Sequence, residues 1–189
     1  MSERDRERWD ARHAGLDAGP PGPPAAPGGR LDLLPSGGRA LELACGRGAV
    51  AVWLAQQGFA VEAVDVSGTG LAAGERLAQR HGVSVTWIEA DLDAGVPDDC
   101  RGPYDLVVCQ RFRDPRLYPA MAALLAPGGL LMVTVLSQVG DGTGPFRAAP
   151  GELATAFAEL EVLVDAQGAG EAHLVARRPR TRPAPPPGR

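Results

Sequence analysis

The 189-residue chain contains no lysine; all 19 of its basic residues are arginine. Beside 25 glycines, 18 prolines and abundant alanine, that bias resembles GC-rich coding more than a functional signature. The net charge is −4, which excludes the overall basic footprint of a nucleic-acid binder. No apolar run approaches the roughly 20 residues of a bilayer-spanning helix, so no membrane partner is expected. The charged N-terminus lacks the apolar core of a secretory signal, and a cytoplasmic setting is expected. The three cysteines, Cys45, Cys100 and Cys109, are an odd number without metal-ligand spacing. Reduced thiols and no metal site are expected. The length suffices for one domain with its own core, as a monomer or homodimer.

What is present centres on one stretch, Ala40-Leu41-Glu42-Leu43-Ala44-Cys45-Gly46-Arg47-Gly48. A short apolar run with one acid meets two glycines spaced by one, and Ala49-Val50-Ala51-Val52-Trp53-Leu54-Ala55 then suits a helix. Strand, glycine turn and helix together present backbone N–H groups to a ligand. Beyond Gly48, Phe59-Ala60-Val61-Glu62-Ala63-Val64 ends at Asp65, where a carboxylate can accept both hydroxyls of a ribose. The spacing also fits a loose dinucleotide fingerprint, so the glycines alone leave the nucleoside cofactor open.

The remaining punctuation predicts an α/β chain. Ser2 is a cap candidate for a short charged helix, with Asp5 three residues on. Residues 15–29 form a Pro/Gly linker in which no helix or strand is expected, and residues 31–35 read as a turn packed on the core. Strands are expected near 39–43, 60–64, 84–89, 104–109 and 130–135, with two more at 161–165 and 172–176. Helices are expected near 48–57, 71–80 (capped by Ser67 and stopped at His81-Gly82), 115–125 and from 150 onward. Residues 137–149 read as a glycine-rich loop. The expected division is an arm and linker over 1–29, one domain over 30–177 and a disordered Pro/Arg tail over 178–189.

Glu42 to Gly48 resembles motif I of the class I S-adenosylmethionine-dependent methyltransferases, acidic-x-Gly-x-Gly-x-Gly, with Ala44 in place of the first glycine. Ala126-Pro127-Gly128-Gly129 followed by an apolar strand resembles that family's fifth-strand turn. Trp9-Asp10-Ala11-Arg12-His13 is similar to a Trp-Asp-x-Arg-Tyr segment of small methyltransferases, which helps to cover cofactor and substrate. Within the superfamily the chain looks closest to the small tellurite-resistance-like members. The resemblance implies a single Rossmann-like three-layer sandwich whose mostly parallel seven-stranded sheet has an antiparallel last strand. It implies S-adenosyl-L-methionine as cofactor. Trp9 and Arg12 would cover it, Glu42 would meet its ammonium, and Ala44, Cys45, Gly46 and Gly48 would line its methionine and ribose. Asp65, Val66 and Ser67 would surround the ribose and adenine, Asp91 and Leu92 the adenine edge, and Cys109 and Gln110 the sulfonium side.

A methyl-transfer enzyme mainly orients reactants and excludes water, so it needs no catalytic triad. None is visible. Catalytic candidates are His13, as base for a hydroxyl acceptor, and Arg111, which with Arg12 and Arg147 could gather an anionic acceptor. Trp9, Phe112 and Arg113 also fall on the acceptor side. The arginines could equally be solvated or paired with Asp10 or Asp114, and Cys109 could simply fill core. The Asn/Asp-Pro-Pro-aromatic tetrad of amide and base methyltransferases is missing after Cys109, which argues against such acceptors. Methyl transfer to a small molecule is the expectation. The alternatives are a nicotinamide-dependent oxidoreductase and a non-catalytic cofactor-binding module.

Overall fold

The computed structural model describes residues 3–25, 27–140, 143–144 and 146–180. Ser2, the expected cap, lies outside them, as do Asp141, Gly142, Pro145 and tail residues 181–189. The helices are α1 (Glu3–His13), α2 (Ala49–Gln56), α3 (Gly68–His81), α4 (Tyr118–Ala123) and α5 (Glu152–Ala156). The strands are β1 (Gly38–Leu43), β2 (Phe59–Asp65), β3 (Thr86–Glu89), β4 (Tyr104–Gln110), β5 (Leu125–Leu136), β6 (Glu161–Gly168) and β7 (Glu171–Arg177). They form one sheet in the order β3-β2-β1-β4-β5-β7-β6. Pairs from β3 through β5 are parallel, and β7 runs antiparallel to both β5 and β6.

The central strands are apolar on both faces because both are covered. Leu106, Val107, Val108 and Cys109 are all fully buried. Alternate residues serve opposite layers: Leu41, Leu43, Val107 and Val133 pack with Tyr118, Met121, Leu153 and Phe157 on the α4–α5 side. Ala40, Leu106, Val108 and Met132 pack with Ala51, Leu54 and Leu71 on the α2–α3 side. Ser67 caps α3 by accepting the Gly70 N–H at 3.0 Å, and left-handed Gly82 closes it.

Several boundaries differ from the sequence expectation. The fifth strand starts at Leu125, because Leu125 pairs with Tyr104 and the Gly128-Gly129 backbone bonds Arg178. Arg178 therefore belongs to the sheet end rather than to the tail; its guanidinium also donates to the Ala123 carbonyl at 3.0 Å. The expected helix over 115–125 is a 3-10 turn, Pro115–Leu117, followed by the short α4, with Pro119 unable to donate at the junction. The helix after residue 150 is only α5, although Leu153, Phe157 and Leu160 are buried as the pattern requires. A 3-10 turn over Pro27–Leu33 enters the stretch expected to lack helix, since proline at a first helical position loses no needed donor. The linker before it lies on the protein: Ala18 is buried, and the Gly22 N–H reaches the Ala49 carbonyl at 3.3 Å.

The β4–β5 junction leaves no room at Gly129, where a Cβ would lie 2.7 Å from the Tyr104 carbonyl oxygen and 2.9 Å from that of Ala126. Both obstacles are backbone, so the strands must part. Gly129→Ala is expected to cost about 2 kcal/mol, read as a lowered urea midpoint; an unchanged midpoint would show that the junction yields freely.

Candidate active site at the carboxyl edge of the sheet

β1, β2 and β4 end side by side, and the turns leaving them build the site. After β1 the chain passes through Ala44, Gly46 and Gly48 with φ of 56, 57 and 69°. The first of these carries a side chain in a left-handed conformation, which costs about 1 kcal/mol. After β4, Arg111 turns with φ 58°. Strained backbone at two neighbouring strand ends is characteristic of a functional edge.

Asp65, at the tip of β2, is buried. Its Oδ2 accepts the Gly46 N–H at 2.7 Å and its Oδ1 accepts the Ser67 N–H at 2.9 Å. A carboxylate has about four acceptor positions, so it keeps capacity for a ligand. Ser67 passes the tie onward: its Oγ donates to Asp10 Oδ1 at 2.6 Å and lies 3.2 Å from His13 Nδ1. Asp10 also accepts the Thr69 N–H at 3.1 Å, which sets a carboxylate at the positive end of α3 and docks α1 there. The Ser67 bond holds the Asp10 carboxyl below its usual range.

This network assigns the imidazole tautomer. Ser67 has one hydroxyl proton, and it goes to Asp10, so His13 Nδ1 must be the donor toward Oγ. Burial lowers the His13 pKa, against the pull of Asp65, which keeps the ring neutral at pH 7. Its Nε2 lone pair is therefore available as a base.

Glu42 sits beneath the glycine turn on β1 and is 4% exposed. Its Oε2 has no hydrogen-bond partner among the described residues. Burial pushes its pKa up to about 8; an Ala51 backbone hydrogen bond opposes the shift and the Asp65 charge adds to it.

Trp9, His13, Ala44, Gly46, Asp65, Val66, Leu92, Gln110, Arg111 and Phe112 surround one cavity of about 80 Å³. The other expected residues lie behind or beside it. Arg12 stacks 5.3 Å from the Trp9 ring centre. Ser67 is buried between His13 and α3. Cys45 and Cys109 are buried free thiols, and Cys109 Sγ points to the Phe112 carbonyl at 3.6 Å. Asp91 accepts the Asp93 N–H at 2.9 Å and opens a 3-10 turn, Leu92–Ala94. Gly48 faces Trp87: a Cβ there would meet the indole at 2.4 Å, and its own N–H is spent on the Cys45 carbonyl. Asp10 is the contributor that residue-level reasoning missed. By charge alone it reads as an arginine partner, and the Trp-Asp pair in the arm is its one signal in the sequence.

Two further arginines have partners of their own. Arg147 donates to the carbonyls of Ser137 and Gly170 at 2.7 and 3.3 Å, bracing a loop rather than facing the cavity. Arg113 forms a two-pronged pair with Glu152 at 2.8 and 2.7 Å, which also accepts from the Tyr118 hydroxyl at 3.1 Å.

Residues 40–129 match the family described as "Methyltransferase domain". The strand order, with β7 inserted antiparallel between β5 and β6, departs from the all-parallel dinucleotide-binding order. Over residues 40–129, just under half of the chain, it is similar to that methyltransferase family. The cofactor that this similarity implies is S-adenosyl-L-methionine. The chain is similar to TehB from Haemophilus influenzae, with TM-score 0.65 and 20% identity over 74% of this chain and 57% of that one. It is 33% identical over 141 residues to the ribosomal RNA small subunit methyltransferase C of Chromohalobacter salexigens, covering 69% of this chain and 39% of that protein. It is 32% identical over 105 residues to a ubiquinone biosynthesis O-methyltransferase of Caulobacter sp., covering 53% and 41%. The chain thus spans about two fifths of the length of these curated relatives. The site's chemistry fits the cofactor: an unpartnered buried carboxylate oxygen suits an ammonium, and a strand-tip carboxylate suits a diol.

Two outcomes test this geometry. In the unfolded chain the Glu42 carboxyl ionises near its ordinary 4.5, whereas the folded site holds the proton to about 8. The folded state thus binds the extra proton across that window, and stability falls as pH rises through it. Glu42→Gln should match the parent Tm near pH 5 and exceed it at pH 8; parallel pH profiles would contradict a protonated Glu42. Ala44→Gly should raise stability by about 1 kcal/mol by relieving the left-handed alanine, measured by denaturant unfolding; a loss of stability would mean that the methyl group is needed for packing.

Proposed function

We propose that the protein transfers the methyl group of S-adenosylmethionine to a small-molecule acceptor. The observation that carries this reading is a second cavity of about 480 Å³ that shares Trp9, Arg111 and Phe112 with the first. It opens beside the cofactor edge, and its volume lies within the roughly 300–1,000 Å³ of small-molecule sites. From β1 to β7 the described residues are spent on the sheet and its flanking helices, and no inserted subdomain is seen among them.

In this reading Asp65 accepts the ribose hydroxyls and Glu42 faces the methionine ammonium. Ala44 and Gly46 present main chain, Val66 packs on the adenine, Asp91 and Leu92 meet its edge, and Cys109 and Gln110 border the sulfonium. The bound cofactor supplies the activated methyl group. His13 Nε2 accepts the proton released by a hydroxyl acceptor. With Trp9 and His13 in place, 80 Å³ is well below what a nucleoside cofactor needs. Entry therefore requires α1 to swing outward, at the expense of the Asp10 contacts to Ser67 and Thr69.

Asp65→Ala is expected to weaken S-adenosylhomocysteine binding at least about tenfold in calorimetric titration, a loss of about 1.4 kcal/mol or more. Because Asp65 also ties two loops, Asp65→Asn serves as the milder variant, with folding checked by circular dichroism. A folded variant of unchanged affinity would refute the ribose placement, and binding of NAD(H) in preference would refute the cofactor assignment at this site.

A further inference from the structure

Resting on the reading of the 480 Å³ cavity as the acceptor site, we infer that the acceptor is an uncharged, flat aromatic molecule rather than an oxyanion. Four apolar side chains from three separate segments converge there: Trp9 from α1, Phe112 from the turn after β4, and Leu136 and Phe146 from the end of β5 and its loop. Phe146 is 70% and Leu136 37% exposed, so two of the four large exposed apolar side chains among the described residues line this one cavity. Apolar surface gathered in a concave site, not scattered, marks a binding face. Aromatic walls favour a flat partner, because offset stacking and edge contacts add to area burial.

The charges point the same way. An oxyanion needs uncommitted cations, and three of the four arginines lining the cavity are committed to carboxylates. Arg111 pairs with Glu171 at 3.2 Å, Arg113 with Glu152 at 2.7 Å, and Arg116 with Asp114 at 2.7 Å and Asp93 at 3.2 Å. Arg8 lies 5.6 Å from the centre of the Trp9 ring, adding a cation–π contact that steadies the indole. Once the Arg111 and Arg113 pairs are set aside, two arginines, Arg8 and Arg116, face three carboxylates, Asp5, Asp93 and Asp114. The rim is not electropositive. A neutral ring loses little on entering it, whereas a small anion would leave a full hydration shell for a rim whose cations, Arg8 apart, are already paired.

The test is calorimetric titration of the full-length protein with 2-naphthol, selenite and 2-mercaptoethanol, each with and without saturating S-adenosylhomocysteine. The expected result is saturable 1:1 binding of 2-naphthol, weakened at least fivefold in Phe146→Ala, with no binding of selenite. Phe146 is exposed enough that its loss leaves the fold intact, and Leu136→Ala provides a second variant. Selenite binding, absence of 2-naphthol binding, or 2-naphthol affinity unmoved in both variants would each overturn the inference. The adenosyl arm stands apart. Failure to bind S-adenosylhomocysteine while 2-naphthol still binds in a Phe146-dependent way sinks the cofactor placement and leaves the acceptor class standing.

Discussion

The buried carboxylate of Asp65 holds this site together. It takes the Gly46 and Ser67 amides on its two oxygens, and so fixes the turn after β1 to the turn after β2. A buried carboxylate without such donors would be costly; amide bonds to a charged acceptor are correspondingly strong. Ser67, placed by that bond, caps α3 and receives α1 through Asp10 and His13. The glycine turn, α3, the arm and the imidazole tautomer are thus successive consequences of one acid at a strand tip.

The sheet makes this chain of contacts possible. Strands β1 and β4 are apolar on both sides and sit at its centre, so their carboxyl ends open at the same level. Turning away there requires left-handed backbone at Ala44 and Arg111. The buried Glu42 belongs to the same economy. It faces the α2–α3 layer, where an ionised carboxylate has little to solvate it, and burial raises its pKa to about 8.

On the acceptor side the geometry turns on charge cancellation. A sequence with 19 arginines and 23 acids reads as rich in recognition groups. The folded chain pairs Arg111, Arg113 and Arg116 internally and turns Arg147 onto carbonyls. The aromatic side chains Trp9, Phe112 and Phe146 line the cavity on that side. The arm brings an imidazole and an aromatic wall together, since His13 and Trp9 lie on one helix with ring centres 5.9 Å apart.

The linear sequence by itself determined the alternation of strands and helices, the glycine turn after Leu43, the cap at Ser67 and the acid at the tip of β2. Each is a local matter of apolar period, glycine φ or side chain to near-neighbour amide. It also carried most of the cavity lining, because a parallel sheet delivers the ends of β1, β2 and β4 to one edge. Only the tertiary structure decided that Asp10 binds Ser67, 57 residues away, and hence where the His13 proton sits. It alone showed that Gly48 makes room for Trp87, that Leu125 already pairs with Tyr104, and that Arg178 closes the sheet end. Those contacts join residues far apart in the chain, and neither periodicity nor spacing records which distant partner satisfies a given donor.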